Sequence, residues 1–324
     1  MRWTGRALLW LAVALLVLAV VGTIYQAIAT GRAERAFPPP GEPVEVGDHK
    51  VHIHCVGRDS PVSPTVVLEA ALGNMSANGV RVQQEVSDTT RVCAYDRSGM
   101  GWSGRGPEPR DAEQVTGELH ALLEGAGIEG PYVLVGHSYG GLYARMYAAR
   151  YPDEVAGVVL ADSSHPEQFS RLPGGQENYE QIRQLYAVAP LLARLGVIRL
   201  FDLNLADPDL PQQQRAQIDA LGSSTRQVAT TADEFRATNQ TATQVRGAGS
   251  LGDKPLAVVS AGEQPPAWLE LQEDLADSSS NSIHRVVEGA THVSLLHERE
   301  DARATSAAIL EVVEAVHSDR PLTQ

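Results

Sequence analysis

Residues 131–150 read Pro131-Tyr132-Val133-Leu134-Val135-Gly136-His137-Ser138-Tyr139-Gly140-Gly141-Leu142-Tyr143-Ala144-Arg145-Met146-Tyr147-Ala148-Ala149-Arg150. An apolar run of strand character gives way, across Gly136-His137-Ser138-Tyr139-Gly140, to a segment with apolar residues at helical spacing. A serine on so tight a strand-to-helix turn is forced into a strained backbone conformation. Its neighbours must then be small, and Gly136 and Gly140 stand two residues to either side. The turn lifts the hydroxyl out of the sheet at a helix N-terminus, whose dipole favours a developing negative charge. G-x-S-x-G alone is a weak pattern. The strand before it and the helix after it make Ser138 a candidate nucleophile rather than an incidental serine in a glycine-rich turn.

A nucleophilic serine needs a base, and the chain has ten histidines. His137 adjoins the serine but lies on the strand side, where its ring is expected to point away from the hydroxyl. His52 and His54 alternate on one early strand. His292 follows the strand-like Ile283-His284-Arg285-Val286-Val287-Glu288 and then Gly289-Ala290-Thr291, and it precedes a final helix expected over 298–317. The chain order serine, acid, histidine puts the base in that loop. A solvated loop histidine is the alternative.

Three further stretches carry a resemblance. Thr65-Val66-Val67-Leu68-Glu69-Ala70-Ala71-Leu72-Gly73 resembles a strand leading into an oxyanion loop. Arg91-Val92-Cys93-Ala94-Tyr95-Asp96-Arg97-Ser98-Gly99-Met100-Gly101-Trp102-Ser103 resembles the next strand and its glycine-rich turn. Val158-Val159-Leu160-Ala161-Asp162-Ser163-Ser164-His165 resembles the strand after the nucleophile helix. With the elbow, they make the chain similar to the α/β-hydrolase-fold serine hydrolases of the esterase/lipase-like group, from about residue 44 to residue 317. The resemblance implies an α/β fold, with a mostly parallel central sheet, helices on both faces and a helical cap inserted after the sixth strand. The expected organisation is 1–30 as membrane helix or signal and 31–42 as linker. The core then covers 43–164 and 252–318, the cap 165–251 and a tail 319–324.

Many relatives carry His-Gly where this chain has Glu69-Ala70. The oxyanion donors are backbone N–H groups, expected from Ala71 (Leu72 being possible) and Tyr139. In this fold the acid usually follows the strand after the cap, here Pro255-Leu256-Ala257-Val258-Val259-Ser260-Ala261, and Glu263 is the carboxylate in that loop. Some lipase-like members instead use the position of Asp162. Asp162 is preferred as the shorter acid at a well-defined strand end, and Glu263, beside Pro265-Pro266, stays open. In the usual strand order of this sheet the strands of Cys55 and Cys93, the only cysteines, are neighbours, so a disulfide between them is expected in an oxidising compartment.

The chain has 43% hydrophobic residues and a net charge of −14, which suits a packed enzyme and argues against nucleic-acid binding. Arginine dominates the basic residues, with Lys50 and Lys254 the only lysines, a bias that suggests a GC-rich bacterial genome. Arg2 and Arg6 precede an apolar run over 7–21 that continues less purely to Ile28. That run reads as an uncleaved membrane anchor with the enzyme outside the cytoplasm. It also reads as a cleaved secretory signal ending at Ala27-Ile28-Ala29. Residues 31–41, with Pro38-Pro39-Pro40, read as a stiff linker.

Elsewhere the pattern is a hairpin over 44–56, strands near Thr65, Arg91, Pro131 and Val155, and helices near Asn78, Ala112 and Tyr139, the rhythm of a parallel sheet covered on both faces. From about His165 to Leu251 helical patterns appear without strands, over 179–185, 191–205 and 211–221. Leu192, Leu195, Ile198, Leu200 and Phe201 either face a substrate or pack the cap onto the core. Gly99-Met100-Gly101-Trp102-Ser103-Gly104 spells a dinucleotide pattern but is followed by loop, not helix. His52, His54 and Cys55 lack a second ligand pair for a metal. Asp96 and Arg97 are expected to pair with each other and brace the loop beneath the site.

The function expected is acyl transfer on a small-molecule carboxylic ester by Ser138, His292 and an acid, with no metal or organic cofactor. Perhydrolase, haloperoxidase-like or amidase chemistry on the same residues is one alternative, and a non-catalytic binding protein on this scaffold is another. The partners expected are the acyl substrate and a membrane.

Overall fold

The computed structural model describes residues 2–58, 63–203 and 206–322. The Arg2 side chain, residues 204–205 at the end of the expected 191–205 helix, and residues 323–324 of the expected tail lie outside the described residues.

The chain forms one sheet from β1 (Glu42–Val46), β2 (His49–Val56), β3 (Thr65–Glu69), β4 (Val92–Tyr95), β5 (Tyr132–His137), β6 (Val155–Ala161), β7 (Leu256–Ala261) and β8 (Ser282–Val287). Its order is β1-β2-β4-β3-β5-β6-β7-β8. β2 alone runs against the rest, antiparallel both to β1, in a hairpin turning at Gly47-Asp48, and to β4, and every contact from β4 to β8 is parallel. A parallel sheet has both faces covered, so its strands are apolar throughout and successive residues face opposite layers. Val67, Cys93, Leu134, Val158, Leu160 and Val258 share one core with residues of the helices Ala112–Gly125, Gly140–Arg150 and Pro266–Ala276. Their chain neighbours Val66, Val92, Val133, Val135, Val159 and Val259 pack into the other, against Val80–Ser87 and Arg299–Ser318.

Between β6 and β7 the chain leaves the sheet and builds the cap from helices alone, chiefly Gly175–Arg194, Gln212–Gly222, Thr225–Arg236 and Thr238–Gly247. The expected 191–205 helix is broken. Helix Gly175–Arg194 stops at Gly196, whose φ of 73° is left-handed, and a single turn Val197–Leu200 follows. Leu192 and Ile198 pack with Ala189 and Ala193 inside the cap, whereas Leu200 and Phe201 are exposed.

One helix runs from Arg2 to Ala36, so residues 31–36, expected as linker, are helical. Arg32, Ala33, Glu34, Arg35 and Ala36 are compatible with a helix, and Pro38-Pro39-Pro40, lacking N–H donors, follow its end. Its stretch Thr4–Ala36 is long and apolar enough to cross a membrane.

Cys55 and Cys93 are direct partners across the antiparallel β2–β4 pair and form a disulfide, with Cα atoms 4.0 Å apart. It closes a 38-residue separation and joins the hairpin to the parallel sheet.

Candidate active site

The elbow is set by close packing. A Cβ on Gly136 would meet the Gly141 Cα at 2.5 Å, and one on Gly140 would meet the Glu69 carbonyl oxygen at 2.3 Å. The first contact seats the helix Gly140–Arg150 on β5, and the second brings the 69–72 loop against the start of that helix. Between them Ser138 has φ 53°, a left-handed conformation costly for a residue with a side chain. Its N–H donates to the Ala161 carbonyl at 3.1 Å, and its own carbonyl accepts from the N–H of Ser164 at 2.9 Å.

Asp162 follows β6 with φ 40° and is fully buried. Its carboxylate accepts from Gln264 Nε2 at 2.6 Å, Trp268 Nε1 at 2.8 Å and the Ala261 N–H at 3.3 Å. His292 Nδ1 lies 2.5 Å from its Oδ2. Burial alone would raise the Asp162 pKa. The hydrogen bond and charge of His292, then the donors Trp268 and Gln264, outweigh it and hold the carboxyl below its ordinary value. Ionised Asp162 therefore faces Nδ1 as acceptor, which leaves Nε2 of a neutral His292 as the ring's acceptor. The other acid weighed from the sequence, Glu263, does not reach this pair. It is exposed, and its backbone N–H donates to the Ala290 carbonyl at 3.0 Å. The loop it belongs to does approach the site, but delivers Gln264, and the helix Pro266–Ala276 that follows delivers Trp268.

His137 is buried against His292. Its Nε2 donates to the His292 carbonyl at 2.9 Å, and the two rings lie 4.8 Å apart. Burial, helped by repulsion from His292, lowers its pKa to about 3, so it is neutral.

The 69–72 loop is held from beneath by Arg97. This buried guanidinium donates to the carbonyls of Ala70 at 2.6 Å and Ala71 at 2.9 Å, to Glu69 at 2.8 Å, and to both oxygens of Glu234 at 2.8 and 3.0 Å. Glu234 lies on the cap helix Thr225–Arg236, so one cation ties the loop to the cap. Burial raises the Glu69 pKa, with Arg97 and the donating Tyr95 hydroxyl opposing the rise. Asp96 does not pair with Arg97. It accepts from His52 Nδ1 at 3.0 Å and from the N–H groups of Ser76 at 2.6 Å and Trp102 at 3.0 Å. With two carboxylates offered by Glu69 and Glu234, the guanidinium turns the other way. Among the described residues no hydrogen bond engages the N–H of Ala71 or Tyr139, the two donors expected from the sequence.

The glycines of 99–104 serve the turn: Gly99 and Gly101 have φ of 88° and 43°, and helix resumes only at Ala112. Among the described residues no group of three or more His, Cys, Asp or Glu is placed to hold a metal. Gln264, Trp268 and Glu234 were not assigned to the site from the sequence, which had Arg97 bracing the loop beneath the site but with Asp96 as its partner.

A family model described as alpha/beta hydrolase fold matches residues 64–298. An uncharacterised protein of Schizosaccharomyces pombe is 28% identical over 291 residues, 79% of this chain and 53% of that protein. An AB hydrolase superfamily protein of Gibberella zeae is 32% identical over 119 residues, 36% of this chain and 37% of its own length. The chain thus spans about half, or less, of these relatives. Among solved structures, an esterase from Thermogutta terrifontis superposes with a TM-score of 0.64 at 21% identity, covering 85% of this chain and 98% of that one, a likeness of fold.

Proposed function

The chain belongs to the alpha/beta hydrolase family, and from that premise we propose that it is a serine hydrolase cleaving a carboxylic ester or related acyl compound. The observation that carries the reading is the hydrogen bond from His292 Nδ1 to the buried carboxylate of Asp162, which itself stands beside the Ser138 elbow. In this reading His292 Nε2 takes the Ser138 proton and the alkoxide attacks the acyl carbonyl. The N–H groups of Ala71 and Tyr139 receive the oxyanion, each worth about 3 kcal/mol. His292 then protonates the leaving group, and water repeats the sequence on the acyl-enzyme. Asp162 orients the ring and stabilises its charge.

The location proposed is a membrane, with the catalytic domain on the non-cytoplasmic side. The apolar helix supports the anchor, Arg6 ahead of it supports the orientation, and the Cys55–Cys93 bridge suits an oxidising space. Steady-state turnover of a panel of nitrophenyl esters tests the activity. Purified protein is expected to hydrolyse at least one, and Ser138→Ala to lose roughly 10⁴- to 10⁶-fold in kcat while keeping its fold. Equal turnover by the variant would remove the assignment.

A further inference from the structure

Outside the N-terminal helix, six of the large exposed apolar side chains lie on one stretch of the cap: Leu185, Val188, Leu191, Leu200, Phe201 and Leu203. The first three recur every third residue along helix Gly175–Arg194 and so share a face. The other three follow the break at Gly196, with Phe201 66% exposed. A water-facing surface rarely keeps so continuous an apolar stretch unless something covers it.

Its position against the N-terminal helix says what does. A Cβ on Gly22 would meet the Leu195 carbonyl oxygen at 2.3 Å, and one on Gly196 would meet the Tyr25 ring at 2.8 Å. Buried Gln26 donates to the Ser223 carbonyl at 2.7 Å and accepts from Arg199 Nε at 3.3 Å. The helix therefore first meets the cap at 22–26 and follows it to Ala33 and Glu34, and the apolar residues from Leu8 to Leu18 project free of the protein. A hydrocarbon layer takes about 20 helical residues. Counted from Ala7, that layer closes at about Gln26, the level of Leu195 and Gly196. The apolar cap residues lie on either side of that point in the chain, and half-exposed Tyr25 supplies an aromatic residue suited to the boundary.

We infer that this face of the cap is seated in the boundary of the same bilayer that the helix crosses, so that the protein rests on lipid through its cap as well as its anchor. The inference stands on the helix being a membrane span and is independent of the chemistry at Ser138.

The test uses the full chain, whose native cysteines are both bridged. Phe201→Cys, Leu191→Cys and, as a reference on β8, Val286→Cys each carry an environment-sensitive NBD fluorophore. The protein is mixed with vesicles of phosphatidylcholine and phosphatidylglycerol and floated on a density gradient. Flotation with the vesicles is expected, and protein left in the aqueous fraction would end the membrane reading and the docking with it. In floated protein, the probes at 201 and 191 are expected to emit at shorter wavelength and to be quenched several-fold more than that at 286 by doxyl-labelled lipid. If the 201 probe instead matches the 286 probe and yields to aqueous iodide, the cap does not dock, though the anchor stands. A 201 probe shielded from both quenchers would mean that a second copy of the chain covers the face, which also overturns the inference.

Discussion

Ser138 and Asp162 leave neighbouring strands side by side. His137 and Ala161 are direct partners across β5 and β6, and each is followed by a residue with left-handed φ, 53° at Ser138 and 40° at Asp162. The N–H of Ser138 donates to the Ala161 carbonyl, and that of Asp162 to the Val259 carbonyl of β7 at 2.7 Å. Their separation is thus fixed by sheet register rather than by a loop. A one-residue slip would turn every side chain of the strand to the other face, and two buried cores forbid it.

The first prediction separates the two candidate acids. Asp162→Asn leaves the shape of the site but presents an amide to Nδ1 and favours the wrong tautomer, so kcat on an ester is expected to fall by about 10⁴-fold. Glu263→Gln, at an exposed position, is expected to stay within about twofold of the parent, as surface changes usually do. The opposite ranking would move the role to Glu263.

Arg97 holds the 69–72 loop through the Ala70 and Ala71 carbonyls. Arg97→Lys keeps the charge and loses the fork that holds the Ala70 and Ala71 carbonyls together with Glu234. We expect kcat to drop on the order of tenfold at little-changed KM, because a displaced oxyanion donor weakens the transition state selectively. Arg97→Met, which strands two buried carboxylates, should cost about 3–5 kcal/mol of stability in urea denaturation. An Arg97→Lys protein with lowered stability but parental kcat would assign Arg97 to stability alone.

Acid sensitivity should trace in part to His137. Its pKa falls from the ordinary 6.5 to about 3 in the fold. Above pH 6.5 it is neutral in both states and takes nothing from stability. Between 6.5 and 3 the unfolded chain binds a proton that the folded chain refuses, so stability is lost as pH falls through that window. From pH 6.5 to pH 4 this amounts to up to about 3 kcal/mol. His165, lowered to about 4, adds to the same trend. Denaturation curves across this range should fall less steeply for His137→Phe than for the parent, and parallel curves would refute the assignment.

The sheet was legible because burial on both faces leaves unbroken apolar runs, and the elbow because its glycines are dictated by contacts under 3 Å. The pairing of His292 with a strand-end acid was legible from chain order, though not the choice of acid. What the sequence hid were partners far apart in the chain. Arg97 meets Glu69 and Glu234 at separations of 28 and 137 residues, so adjacency wrongly suggested Asp96. The cap helices Thr225–Arg236 and Thr238–Gly247 were missed because threonine, glutamine and arginine outnumber their large apolar residues. They bury polar faces instead: Gln227, Thr230, Glu234 and Thr241 are all inside.

The central claim is that Ser138 is an activated nucleophile, and covalent labelling of the folded full chain reads it directly. A fluorophosphonate probe, followed by intact mass and peptide mapping, is expected to give one adduct on the peptide containing Ser138. Prior treatment with acid-unfolded conditions or the Ser138→Ala substitution should abolish it, and His292→Ala should slow it by several orders of magnitude. Absence of an adduct at Ser138 in folded protein, or undiminished labelling of Ser138→Ala, would contradict the account.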